Sequence, residues 1–173
     1  MQKKYKIINY TLVLFLIISL CFNFYLYKEK QHFMAQVGAE NQLTVRKTMN
    51  KLNETSVDFW VSRLQKEKGD VYLERHLGEL RQLSKEFHRM SGEMSAIGML
   101  IDDIINSYSG LMNKKHGEEV EGYKKEIEEK SKLINRILTQ IDSHLGENEK
   151  LWYKELSGFQ TETQKDVWEE FKE

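Results

Sequence analysis

Leu73 to Leu111 reads LERHLGELRQLSKEFHRMSGEMSAIGMLIDDIINSYSGL. Counting by steps of four and three residues from Leu73 lands on Leu77, Leu80, Ser84, Phe87, Met90, Met94, Ile97, Ile101, Ile104, Tyr108 and Leu111, of which only Ser84 is polar. Residues at that spacing share one side of an α-helix, so the stretch predicts a long helix with an apolar seam of the coiled-coil or bundle kind. The 173-residue chain contains no proline, which leaves no imposed kink to interrupt such a helix.

An apolar seam has to be covered, and the flanking sequence offers partners. Three polar breaks punctuate the region after residue 28: Lys66 to Asp70, Lys114 to Glu119 and His144 to Asn148, each with a glycine. At the first, Gly69 is expected to end one helix in a left-handed conformation and Asp70 to cap the next. The breaks predict four helices over about 29–67, 70–113, 118–145 and 148–172. In the third, Val120, Ile127, Ile134 and Ile141 recur every seven residues, joined by Tyr123, Ile137, Leu138 and Leu145. Val45, Met49, Leu52, Phe59, Trp60 and Leu64 mark the first helix, and Trp152, Leu156, Phe159, Val167, Trp168 and Phe171 the last. Short turns between four amphipathic helices predict antiparallel neighbours in an elongated bundle. A three-helix coiled coil with a loose last helix, or seams completed by a second copy, would satisfy the same pattern.

Upstream the composition changes abruptly. Ile7 to Tyr27, IINYTLVLFLIISLCFNFYLY, holds no charge over 21 residues, and at about 1.5 Å per residue spans roughly 31 Å, the thickness of a bilayer's hydrocarbon core. Ile7, Leu12, Leu14, Phe15, Leu16, Ile17, Leu20, Phe22 and Tyr27 are its anchor residues, with tyrosines near both ends where amphipathic rings favour the interface. A cleaved signal peptide fits poorly, because the apolar core is too long and Val37-Gly38-Ala39 follows the charged Lys28-Glu29-Lys30. A lipoprotein signal at Cys21 has bulky Leu20 before it, and the apolar run continues past the cysteine. A buried globular helix, apolar all round, would need a thicker core than this chain can build.

The expected fold is therefore all-α: one N-terminal transmembrane helix followed by an elongated antiparallel four-helix or coiled-coil bundle. Lys3, Lys4 and Lys6 precede the span, and Lys28 and Lys30 follow it. The positive-inside bias predicts residues 1–6 as a short cytoplasmic tail, 7–27 as the anchor and 28–173 outside the cytoplasm, a single-pass cell-membrane protein. Asn53-Glu54-Thr55 is a formal glycosylation sequon that has meaning only in a eukaryotic secretory pathway. If helices about 58 and 65 Å long run out from and back to the membrane, Lys114 and Lys115 could meet the lipid surface, although closing a helix is the preferred reading of the two lysines.

Chemistry is sparse. One cysteine makes no disulfide framework. Removing the three amino-terminal lysines leaves 23 basic against 27 acidic side chains, a mildly acidic domain that disfavours nucleic acid. His76 with Glu79, His116 with Glu119 and His144 with Glu147 share helix faces as His-x-x-Glu pairs, and are the only metal candidates. His88 with Met90 and Met94 has the softness of a copper site, but both methionines belong to the seam. Phosphate-binding glycine loops, nucleophile elbows and His-Glu-x-x-His are missing, and Asp102-Asp103 and Glu128-Glu129 read as solvated faces. No catalytic residue, cofactor or firm metal site is expected. The small residues Gly92, Ala96 and Gly98, with Ser91 and Ser95, predict close helix contact, a kink, or a cavity wall.

In layout alone the chain resembles the outside four-helix module of bacterial chemoreceptors, without a second span, and single-pass coiled-coil proteins of the bacterial divisome. The expected function is a non-enzymatic, membrane-anchored interaction module, an adaptor, accessory or regulatory subunit with a protein partner or a second copy. The alternative is a sensory bundle that binds a ligand near Gly92 and Gly98 and signals through a partner.

Overall fold

The computed structural model of the chain describes residues 2–172 except 55, 91, 114–117 and 159, with the side chains of residues 2–9 and Glu118 also outside the description. The expectations for Ile7, His116, Phe159 and the Lys114-Lys115 turn lie in whole or part on those residues. Among the described residues there is no strand, and seven helices follow in order: α1 (Gln2–Asn53), α2 (Val57–Leu64), α3 (Gly69–Arg89), α4 (Met94–Asn113), α5 (Glu118–Leu145), α6 (Glu149–Ser157) and α7 (Glu162–Lys172).

The first helix is a single rod of 52 residues, about 78 Å long. Its character changes along its length. From Tyr10 to Tyr27 the large apolar side chains are exposed on every side, Leu12 at 62 % and Ile17 at 51 % among them. This is the one described helix long and apolar enough to cross a membrane. Beyond it, Gly38, Asn41, Val45 and Thr48 are buried at three- and four-residue spacing. That inward face is small and polar, because the backbone of α6 lies close against it. A Cβ at Gly38 would stand 1.7 Å from the Glu149 carbonyl oxygen.

The expected helix over 29–67 is instead the end of α1 and a separate α2. Ser56, with extended backbone (φ −70°, ψ 157°), accepts a hydrogen bond from the Phe59 amide at 3.3 Å and starts the new helix. Trp60 turns into the core, whereas Phe59 is half exposed. At the next break the left-handed residue is Lys68 (φ 58°), and Gly69 opens α3.

The expected helix over 70–113 is two helices. Met90 is extended (φ −72°, ψ 155°), Gly92 adopts φ +63°, and α4 begins at Met94. The chain folds back, so that Ser84 meets Gly98 and Asp102 while the His76 ring stands 5.8 Å from that of Tyr108. A left-handed conformation is cheap only for glycine, which is why the reversal falls at Gly92. The seam's count slips by one at the reversal, where the step of three from Phe87 to Met90 follows the step of three from Ser84 to Phe87. Leu73, Leu77, Leu80, Phe87, Met94, Ile97, Ile101, Ile104, Tyr108 and Leu111 are buried, and Met90 packs at the edge of the same cluster.

Helix α5 carries Ile127, Ile134, Ile137, Leu138 and Ile141 into that cluster. Along its contact with α1, Asn53 meets Asn135, Arg46 meets Asp142 and Gln42 meets the carbonyl of Gly146. Asn148 caps α6 by accepting from the Leu151 amide at 3.2 Å, and buried Trp152 donates its indole N–H to the Gly146 carbonyl at 2.8 Å. The expected last helix over 148–172 is divided at Gly158 to Thr161. There Gln160 has φ 53°, and the Thr161 hydroxyl accepts from the Gln164 amide to open α7. Trp168 on α7 is exposed, while Val167 is buried.

Candidate functional site

Two regions stand apart from ordinary helix packing. The first is the apolar sleeve from Tyr10 to Tyr27, where exposed Leu12, Leu14, Phe15, Leu16, Ile17, Leu20, Phe22 and Tyr27 form a surface that water solvates poorly. Its backbone is satisfied internally by the helix, as a hydrocarbon environment requires. Among its polar side chains, Asn23 donates to the Ser19 hydroxyl one turn earlier at 3.4 Å.

The second region surrounds His76. Its ring lies 4.7 Å from Trp60 at 35° and 5.8 Å from Tyr108 nearly edge-on, and it is almost fully buried. Burial disfavours the imidazolium, and the nearby Lys51 ammonium adds to this, so its pKa falls to about 4 despite Glu79 and Glu54. His76 is neutral at physiological pH. Glu79, its prospective metal partner, is engaged by Lys51, which also pairs with Glu54 at 2.7 Å. Burial pulls the Lys51 pKa down, but hydrogen bonds from Glu54 and Glu79 outweigh it and leave it raised. Burial likewise pushes the Tyr108 phenol up, so its hydroxyl keeps its proton.

The carboxylate of the His144–Glu147 pair is also engaged by other residues. Glu147 accepts from Arg46 at 2.6 Å and from Gln42 at 3.2 Å, hydrogen bonds that hold its carboxyl below the usual range, and Arg46 reaches Asp142 at 2.8 Å as well. His144 faces a cleft between α5 and α7. Among the described residues no group of three or more His, Cys, Asp or Glu is placed to hold a metal.

A cluster that the sequence reading passed over lies between α3 and α4. The Ser84 hydroxyl is 2.5 Å from one carboxylate oxygen of Asp102, and His88 Nε2 is 2.9 Å from the other. Nucleophilic catalysis needs the base to touch the hydroxyl, with the carboxylate orienting the base. Here the carboxylate sits in the middle, which is not the order of that triad, and its two hydrogen bonds join α3 to α4. Asp103 turns the other way, to Lys130 on α5 at 2.7 Å, while Ser107 donates to Glu126 at 2.7 Å. Asp102 and Asp103, both half exposed, thus also reach two different helices. A serine four residues before a histidine on α3 was the available signal, but only the fold-back brings Asp102 to both.

The small-residue segment has structural duties. Gly92 makes the reversal, and Gly98 lies against the His88 ring, which a Cβ would approach to 3.0 Å. Comparison of the chain with protein-family models, curated proteins and solved structures returned no match.

Proposed function

We propose that this chain is a membrane-tethered, non-enzymatic helical interaction module, acting as an adaptor, accessory or regulatory subunit on the outer face of a bacterial cytoplasmic membrane. The observation that carries this reading is the continuity of α1, which runs without a break from the exposed apolar sleeve into the packed domain. A helix that joins lipid to a folded body holds that body at the surface. In this reading the packed helices form an antiparallel bundle, supported by the pairing of Asn53 with Asn135 and Arg46 with Asp142 and by the α3–α4 reversal. Lys3, Lys4 and Lys6 keep the amino terminus in the cytoplasm. The bundle then offers mixed-charge faces to a protein partner or a second copy.

The tether is tested by introducing charge. Leu14→Arg with Ile17→Arg adds about 3 kcal/mol per residue against insertion, so the double variant should leave the membrane fraction while the parent chain resists alkaline extraction. In intact spheroplasts, added protease should degrade the domain after residue 28 if it lies outside. Crosslinking in native membranes that captures only monomer, with no partner, would overturn the interaction role.

A sensory reading has one observation in its favour. Its expected location at Gly92 and Gly98 is filled by the turn and by His88, but a cleft opens beside His76.

A further inference from the structure

A cleft of about 410 Å³ opens between α5 and α7. Ile137 and Ile141 on α5 and Val167 on α7 line it and are buried, so its inner wall is apolar. Beside them stands Thr163, which is 4 % exposed and whose hydroxyl oxygen is buried without a hydrogen-bond partner. Glu170 Oε2 is a second such oxygen on the lining, but it is ion-paired with Arg136 at 2.6 Å. Buried polar atoms are nearly always paired, so the Thr163 hydroxyl points to a partner received by the cleft. A threonine on a helix has two accessible χ1 wells, so the hydroxyl can be presented to an occupant without movement of the backbone.

The uncommitted groups around the cleft are acceptors. Glu169 pairs with Lys172 at 2.8 Å and Glu170 with Arg136, which leaves Asp166 as the lining carboxylate with no ion pair among the described residues. Asp166 follows Thr163 by three residues and shares its face of α7. The amino end of α7 would oppose a cation, but its amides are already taken. Thr163 N–H donates to the Glu155 carboxylate at 3.4 Å, and Gln164 N–H to the Thr161 hydroxyl at 3.3 Å. A hydroxyl and a free carboxylate beside an apolar wall suit a group that donates hydrogen bonds, carries positive charge and has an alkyl tail. The volume lies in the lower part of the range of roughly 300–1,000 Å³ typical of small-molecule pockets.

We propose that the cleft between α5 and α7 binds a small primary alkylamine as its ammonium ion. The charged end donates to Thr163 Oγ1 and the Asp166 carboxylate, and the alkyl end lies on Ile137, Ile141 and Val167. This goes beyond the tether and the interaction role and depends on neither. The test follows the Ile141 and Val167 methyl groups by NMR, on the full chain in nanodiscs of zwitterionic lipid. Butylammonium chloride, sodium butyrate, ammonium chloride and sodium chloride are titrated at matched ionic strength. Butylammonium should shift both residues saturably, whereas butyrate, equally apolar but of opposite charge, and sodium chloride should not. Ammonium, which has no alkyl tail to bury, should bind at least about tenfold more weakly. Thr163→Val keeps the shape and removes the hydroxyl, and Asp166→Asn keeps the shape and removes the charge. Each should weaken butylammonium binding roughly fivefold or more. Thr163→Val also separates a binding group from a packing defect, because a hydroxyl that is merely unpaired would be replaced with a gain in stability and no change in binding. The proposal is overturned if butylammonium leaves the two residues unshifted, if butyrate shifts them equally, if ammonium binds as tightly, or if either variant binds as the parent does. Such a failure leaves the tether reading intact, because extraction from membranes does not involve this cleft.

Discussion

His76 shows how burial converts one side chain into a pH dependence of the whole domain. Its pKa is about 4 in the folded chain against 6.5 as the unperturbed value. Between these values the unfolded chain binds more protons, so stability rises with pH across the window and falls as pH drops from 6.5 to 4. The loss amounts to about 3 kcal/mol. His76→Phe keeps an aromatic ring between Trp60 and Tyr108 and should flatten the slope of urea-unfolding free energy over that range. Glu54 and Glu147 act in a different window. Hydrogen bonds from Lys51 and Arg46 hold their pKa values below 4.5, so their contribution is present above that pH and is lost on further acidification. The seam residues were legible in the sequence because burial of an apolar side chain repeats with the helix. The Ser84–Asp102–His88 clasp was not, since hydrogen bonds between separate helices leave no period in a sequence.

Among the helices, the decisive contacts are those where backbones approach. Gly38→Ala places a Cβ against the Glu149 carbonyl and should lower unfolding free energy by about 2 kcal/mol through overpacking. Gly78 in α3 has nothing within 4 Å of a Cβ, so Gly78→Ala should raise stability by about 0.5–1 kcal/mol. Both are measured by urea unfolding of the detergent-solubilised chain. Gly92→Ala must take φ +63° with a side chain that also meets Gln164, and should cost at least about 1–2 kcal/mol. The sequence pattern showed that residues 73–111 are helical and which face is apolar, but not that the helix doubles back. The turn left only a small trace in the spacing, two successive steps of three from Ser84 through Phe87 to Met90, beside Gly92. The inward face of α1 was harder still to read, because Gly38, Asn41 and Thr48 are buried against backbone and carry no apolar signature.

At the scale of the whole molecule, the chain divides at about Tyr27 into a sleeve with no protein neighbours and a domain with one apolar cluster. The all-helical class and the single long apolar N-terminal helix were both readable from composition, since neither needs tertiary information. The arrangement of the shorter helices was not, because Ser56 and Thr161 start helices inside stretches whose periodicity continues past them. The turn after Arg89 lies toward the sleeve: Glu86, Arg89 and Met90 line a groove with Val37 and Thr44. The α4 and α5 ends that flank residues 114–117 lie at the other extreme, where Lys124 pairs with Asp58 on α2 at 2.7 Å. In the proposed membrane-tethered arrangement, a lipid-facing surface on the domain is to be sought near α6 and Met90. Lys150→Glu with Lys154→Glu on exposed α6 positions should reduce binding of the domain to anionic vesicles by about 1 kcal/mol or more per lysine, measured by co-sedimentation at low and high salt.

The unbroken α1 also makes the domain the load on a lever. About 39 Å of helix separates Tyr27 from Asn53, and transmembrane helices tilt by about 20° on average, so in the proposed membrane-tethered arrangement a swing of that size would carry the far end sideways by about 13 Å. Without a proline or a break in the shaft, rotation or tilt imposed at a lipid-embedded end would arrive at the domain as motion of the whole body, not as local bending.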